Sequence, residues 1–129
     1  MAVALGLARR RGVRVVLVLE TDNSNGGKVD FDPLPHLAGE LGGGAEVFVW
    51  PISERVRDHR GRHGSLHAKF AVADRQRLLV SSANLTEFAF ELNIELGVLV
   101  TGGAPPLEAA TQVEQMIRLG IFRSIRARA

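Results

Sequence analysis

The chain has 129 residues and a mass of 14.0 kDa; 46% of its residues are hydrophobic and 23% charged, the length and balance of a single globular domain over residues 1–129, not of a disordered tail. No run of about 18 apolar residues occurs, and Arg9, Arg10 and Arg11 sit too deep for the basic start of a secretion signal, so no membrane span is expected and the default address is the cytoplasm. The absence of cysteine excludes disulfide staples, thiolate metal sites and cysteine nucleophiles, leaving apolar burial as the main stabiliser.

The net charge of +2 comes from 16 basic and 14 acidic residues, but the basic ones are unevenly placed. Lys28 and Lys69 are the only lysines. Arg55, Arg57, Arg60 and Arg62 fall close together, with Glu54 and Asp58 as the nearby acids, and beyond Arg118 the tail adds Arg123, Arg126 and Arg128 with no acid. Such clusters suit phosphate partners, and equally suit a solvated face.

In chain order, residues 2–10 have the period of an amphipathic helix, and residues 13–19 form an apolar, β-branched run that predicts a buried strand. Residues 21–27 are dense in turn formers and predict a loop. A short helix over 34–41 follows Pro33 and ends at the glycines 42–44. Residues 45–50 predict a second strand. Residues 51–64 lack an apolar period, hold the arginine cluster and predict a functional or mobile loop. Two strands over 66–74 and 77–81 are joined by a tight turn at Asp74, Arg75 and Gln76. In an extended strand His67 and Lys69 share a face opposite Ala68, Phe70 and Val72. One or two helical turns over 85–91, a fifth strand over 93–100 with Asn93 and Glu95 on one face, and a helix over 107–119, opened by Pro105 and Pro106 and closed by Gly120, complete a mixed α/β layer.

The informative stretch is His67-Ala-Lys69, then four residues to Asp74, six more to Ser81-Ser82-Ala83-Asn84, and Glu95 eleven further on. It resembles the phospholipase D superfamily, whose motif is H-x-K-x4-D-x6-G-S-x-N; every fixed position matches except that Ser81 stands where glycine is usual. Alone, each residue has an ordinary structural explanation. Asp74 fits a hairpin turn, Ser82 and Asn84 fit a turn leading into a helix, and Glu95 fits a surface acid. A carboxylate in an apolar strand nevertheless asks for a partner, and a histidine answers.

The resemblance implies phosphodiester cleavage without a metal or other cofactor. His67 would attack phosphorus through a neutral ring nitrogen and pass through a phosphohistidine that water resolves, and the unperturbed histidine pKa of about 6.5 would let a second histidine be the acid. Lys69 and Asn84 would hold the nonbridging oxygens, Ser82 would donate another hydrogen bond, and Glu95 would fix the imidazole's other N–H. His36, His59 and His63 have no second ligand at metal spacing. The implied fold is a phospholipase D-like half-domain, a mixed β-sheet flanked by helices. In that family a strand precedes the opening helix, so a missing first strand is expected. The superfamily's active site joins two motifs, and this chain holds one. Either two copies pair about a two-fold axis or the chain is the C-terminal half of a longer protein.

The surrounding wording narrows the likeness. Ser81 to Thr86 (SSANLT), Asn93 to Val100 (NIELGVLV), the Gly102-Gly103 turn with Pro106, and Ile117 to Phe122 (IRLGIF) resemble the phospholipase D-like component of the DISARM anti-phage system. That likeness implies a role in defence against phage DNA alongside other subunits of such a system. Three functions compete. One is a nuclease or related phosphodiesterase, with Arg55, Arg57, Arg60 and Arg62 contacting the nucleic-acid backbone. Another is a phospholipid phosphodiesterase, disfavoured because no interfacial amphipathic helix is evident. The last is a non-catalytic nucleic-acid-binding subunit.

Overall fold

The structure, a computed structural model, describes residues 2–20, 44–84 and 93–125. The expected loop at 21–27 and the helices at 34–41 and 85–91 lie outside them. Two compact units emerge, Met1–Leu66 with Ile117–Ala129, and His67–Met116.

The first unit opens with helix α1, Ala2–Arg10. Gly12, at φ +88°, ends it: Gly12 N–H reaches Arg9 O (2.8 Å) and Val13 N–H reaches Ala8 O (3.2 Å), the paired bonds of a Schellman cap that needs a left-handed residue. Strand β1, Val16–Leu19, is shorter than the apolar run that predicts it and pairs in parallel with β2, Glu46–Val49. A single 3-10 turn, Ile52–Glu54, follows Pro51. β2 also pairs antiparallel with a strand that the sequence pattern did not reveal, Arg123–Ser124, numbered β6 below, giving the order β1-β2-β6. Val15, Phe48, Val49 and Phe122 form the unit's buried core.

The second unit is an antiparallel meander of β3 (Phe70–Ala73), β4 (Arg77–Ser81) and β5 (Gly97–Thr101). Asp74 and Arg75 take positive φ of 52° and 55°, and Gln76 N–H closes the turn on Ala73 O at 3.0 Å; left-handed residues match the strand twist here. Phe70, Val72, Leu78, Val80, Val98 and Val100 share one face by register. Phe70, Leu78 and Val80 line a cleft with Ala109 of helix α2, Ala104–Arg118. Pro105 and Pro106 occupy the helix's first turn, where backbone N–H groups lack intrahelical acceptors, so the helix starts three residues earlier than predicted. Arg75 at the hairpin grips Glu114 of α2 through two bonds of 2.7 and 2.8 Å.

Candidate active site

The predicted strand carrying His67 and Lys69 begins later than expected. Lys69 O still accepts Ser81 N–H (3.0 Å), but β4 ends at Ser81, so no ladder partner remains opposite Ala68 and His67. The two chemically suggestive side chains meet all the same. The Lys69 ammonium lies 3.0 Å from His67 O and 3.4 Å from His67 Nε2. An ammonium has donors only, so its long contact to Nε2 calls for a lone pair there.

The turn after β4 brings a carboxylate into the same unit. Ser82 N–H donates to Leu96 O (3.0 Å), and Leu96 N–H donates back to Ser82 Oγ (3.1 Å), locking the hydroxyl against the segment before β5. Ser82 Oγ then donates to Glu95 Oε2 at 2.5 Å, and Asn93 Nδ2 donates to Glu95 Oε1 at 3.1 Å. Ser82's hydrogen bond, then that of Asn93, hold the Glu95 carboxyl below its ordinary range against an opposing desolvation, with the Lys69 charge the least of the contributions. One expectation changes: Glu95 takes Ser82 and Asn93 as its hydrogen-bond partners instead of the His67 imidazole. The reason is proximity: Asn93 and Glu95 lie on one short extended segment that Ser82 itself pins.

Asp74 lies in the β3–β4 turn, five residues along an extended strand from Lys69 and so roughly 16 Å away; the structure does not bring it to the cluster. Asn84 is exposed two residues past Ser82. The extra Cβ of Ser81 is matched across the ladder by Gly97, where any side chain would stand 3.1 Å from Val80 O and 3.5 Å from Ser81 Cβ. Among the described residues no three His, Asp or Glu side chains gather as metal ligands.

The arginine cluster belongs to the first unit and is not a uniform surface. Arg55, expected to meet a phosphate, is a correction: its side chain is 0% exposed and is bound to Glu20 (2.5 Å), to Trp50 O (2.6 and 3.1 Å) and to Gly64 O (3.0 Å), with its guanidinium 4.9 Å from the Trp50 ring centroid. Residues 57–63 form a small closed hairpin with an Arg57–His63 bridge and Gly61 at φ +76°. Asp58 Oδ1 accepts the N–H groups of Arg60 and Arg62 (both 2.9 Å), and Asp58 Oδ2 accepts Arg62 Nε (2.8 Å). Arg57 Nη1 caps Gly61 O at 3.1 Å. Arg57, Arg60 and Arg62 remain exposed. In the tail, Arg123 is ion-paired with Glu54, an acid distant in sequence.

A family described as "Cardiolipin synthase, PLD-like domain" matches residues 1–118. The chain belongs to this phospholipase D-like family. No curated protein matches it. Among solved structures, NucT from Helicobacter pylori is similar over 95% of this chain and 72% of its own, with 20% identity and a TM-score of 0.74. Nuc from Salmonella typhimurium, titled a phospholipase D family member, is similar over 98% of this chain and 73% of its own, with 21% identity and a TM-score of 0.68. The mixed α/β architecture with two small sheets and helices is thus the phospholipase D-like fold, and phosphodiester hydrolysis is this superfamily's general chemistry.

Sequence reasoning missed three residues of this phospholipase D-like chain that the structure makes prominent. Asn93 shares a face with Glu95 by register, but nothing in the sequence gives it a role, and neither Glu20 nor Trp50 stands out by motif. One signal existed for Glu20, an acid closing a buried apolar run, VLVLE, which calls for a cation.

Proposed function

We propose that this phospholipase D-like chain is a nuclease that cleaves phosphodiester bonds through a phosphohistidine on His67, without a metal. The observation that carries the reading is the Lys69 ammonium beside His67 Nε2, an anion holder next to an exposed nucleophile. The lone pair of the His67 ring attacks phosphorus, the P–O bond to the departing alcohol breaks, and that oxygen takes a proton from a second histidine. Water then attacks the phosphohistidine, returns a proton to the second histidine and frees the phosphate monoester. Lys69 and Asn84 hold the nonbridging oxygens during both steps. Glu95, fixed by Ser82 and Asn93, sets the negative charge that Lys69 faces before substrate arrives.

The second histidine is His67 of another copy of the chain, or belongs to another half of a longer protein. Nucleic acid is the substrate class because the hairpin at 57–63 presents Arg57, Arg60 and Arg62 outward, a spacing of cations suited to a phosphate backbone. The biological setting in this reading is anti-phage defence of the DISARM kind, supported by the wording of residues 81–86, 93–100 and 117–122.

The test is cleavage of labelled DNA, RNA and phosphatidylcholine vesicles in excess EDTA, with the species in solution weighed alongside. Nucleic acid should be cut, by a dimer or larger species, and cutting should vanish in His67→Ala and Lys69→Ala proteins that keep their circular dichroism. Cleavage of the vesicles alone would transfer the reading to a lipid phosphodiesterase. Strict divalent-metal dependence, or full function in His67→Ala with loss on reversing Arg57 and Arg60, would overturn catalysis by His67.

A further inference from the structure

We infer that the hairpin at 57–63 meets nucleic acid through Arg60 at its tip, and that Asp58 is the positioning residue that presents it; the inference rests on the nucleic-acid reading above and narrows it. The hairpin lies within one compact unit. Its exposed arginines are not equivalent. Arg62 is neutralised, with Nε 2.8 Å and Nη2 2.7 Å from Asp58 Oδ2, and Arg57 spends Nη1 on Gly61 O at 3.1 Å. The Arg60 guanidinium has no partner among the described residues, so its whole fork is open to a phosphate.

The tip that carries Arg60 is held in shape before any ligand arrives. Asp58 N–H donates to Arg62 O and Gly61 N–H to Asp58 O (both 2.9 Å), while Asp58 Oδ1 accepts the N–H groups of Arg60 and Arg62 (both 2.9 Å). An acid beside a polyanion's contact would by charge alone oppose binding, yet this one fixes the backbone of the residue that makes the contact. A fixed tip loses less conformational freedom on binding than a loose loop does. Residues 57–63 include no apolar side chain to enter a lipid layer, which favours a strand of phosphates over a membrane.

The experiment follows binding of a fluorescein-labelled single-stranded DNA of about 20 nucleotides by anisotropy, from about 0.05 to about 0.3 M salt, with phosphatidylglycerol vesicles as the parallel probe. The parent protein is His67→Ala, so that the strand stays whole. Arg60→Gln should weaken DNA binding about three- to fivefold at about 0.15 M salt and make the slope of log K against log salt shallower by about 0.7, one phosphate contact. Arg62→Gln removes the same charge and should keep the slope. Asp58→Asn and Asp58→Ala also match in charge, but asparagine retains an oxygen for the N–H groups of Arg60 and Arg62. Asp58→Asn should therefore bind at least as tightly as the parent, and Asp58→Ala about threefold or more weaker than Asp58→Asn. A slope unchanged by Arg60→Gln, or changed equally by Arg62→Gln, overturns the assignment of Arg60 and leaves a nuclease that binds DNA elsewhere. Equal binding by the two Asp58 variants overturns the role of Asp58. A parent that binds no DNA, or binds only the vesicles, fails the nucleic-acid reading itself and takes the assignment with it.

Discussion

Two charged clusters divide the labour in this chain, and they differ most in their access to water. The Glu20–Arg55 pair has side chains 10% and 0% exposed, each ion-paired with the other. The His67–Lys69–Glu95 group lies at or near the surface, with His67 exposed. The same chemical types therefore do opposite things. Where water is excluded, an unpartnered charge is so unfavourable that the arginine must be fully matched, which makes the pair a rigid structural element. Where water has access, an ammonium and an imidazole tolerate incomplete pairing and keep capacity for a ligand.

This contrast predicts a double dissociation between activity and stability. His67→Ala should lower turnover about 10⁴-fold or more while changing unfolding free energy by no more than about 0.5 kcal/mol, read from cleavage rates and urea melts of the same preparation. Arg55→Ala should do the reverse in kind, costing roughly 3–5 kcal/mol because the Glu20 carboxylate is left buried and unpaired. If the melts of Arg55→Ala and wild type coincide, the contrast is broken. Lys69→Ala should reduce turnover about 10²- to 10³-fold with wild-type stability.

Smaller effects sharpen the comparison at the hairpin. The Arg62–Asp58 pair has side chains 70% and 34% exposed, so Arg62→Ala should change stability by no more than about 1 kcal/mol, and the change should shrink in 1 M salt. Acid tests the same point. The hydrogen bond from the Arg62 side chain, followed by the backbone N–H groups of Arg62 and Arg60, holds the Asp58 carboxyl below its ordinary range; Ser82 and Asn93 do this for Glu95. Both folded values are depressed, so their contributions are complete above the ordinary carboxylate range and fade as pH falls through the depressed values. Carboxyl carbon titrations should give midpoints below those of model peptides for both residues, and Ser82→Ala should raise that of Glu95 while leaving Asp58 unchanged.

What could be read from the residues alone were the features governed by neighbours along the chain. The helices at 2–10 and near 107–119, the two strands flanking Asp74 to Gln76, and the pairing of Asn93 with Glu95 follow from periodicity, caps and turn chemistry, which act within a few residues. The spacing of His67, Lys69, Ser82 and Asn84 carried the family likeness for the same reason. The missed features all join distant positions: β6 on β2, Arg123 with Glu54, Ser82 with Glu95, and Arg55 with Glu20 across 35 residues. Four arginines within a short run look alike in sequence, yet one is buried and three are exposed, because solvent access is set by what the fold lays over each side chain and not by its neighbours along the chain.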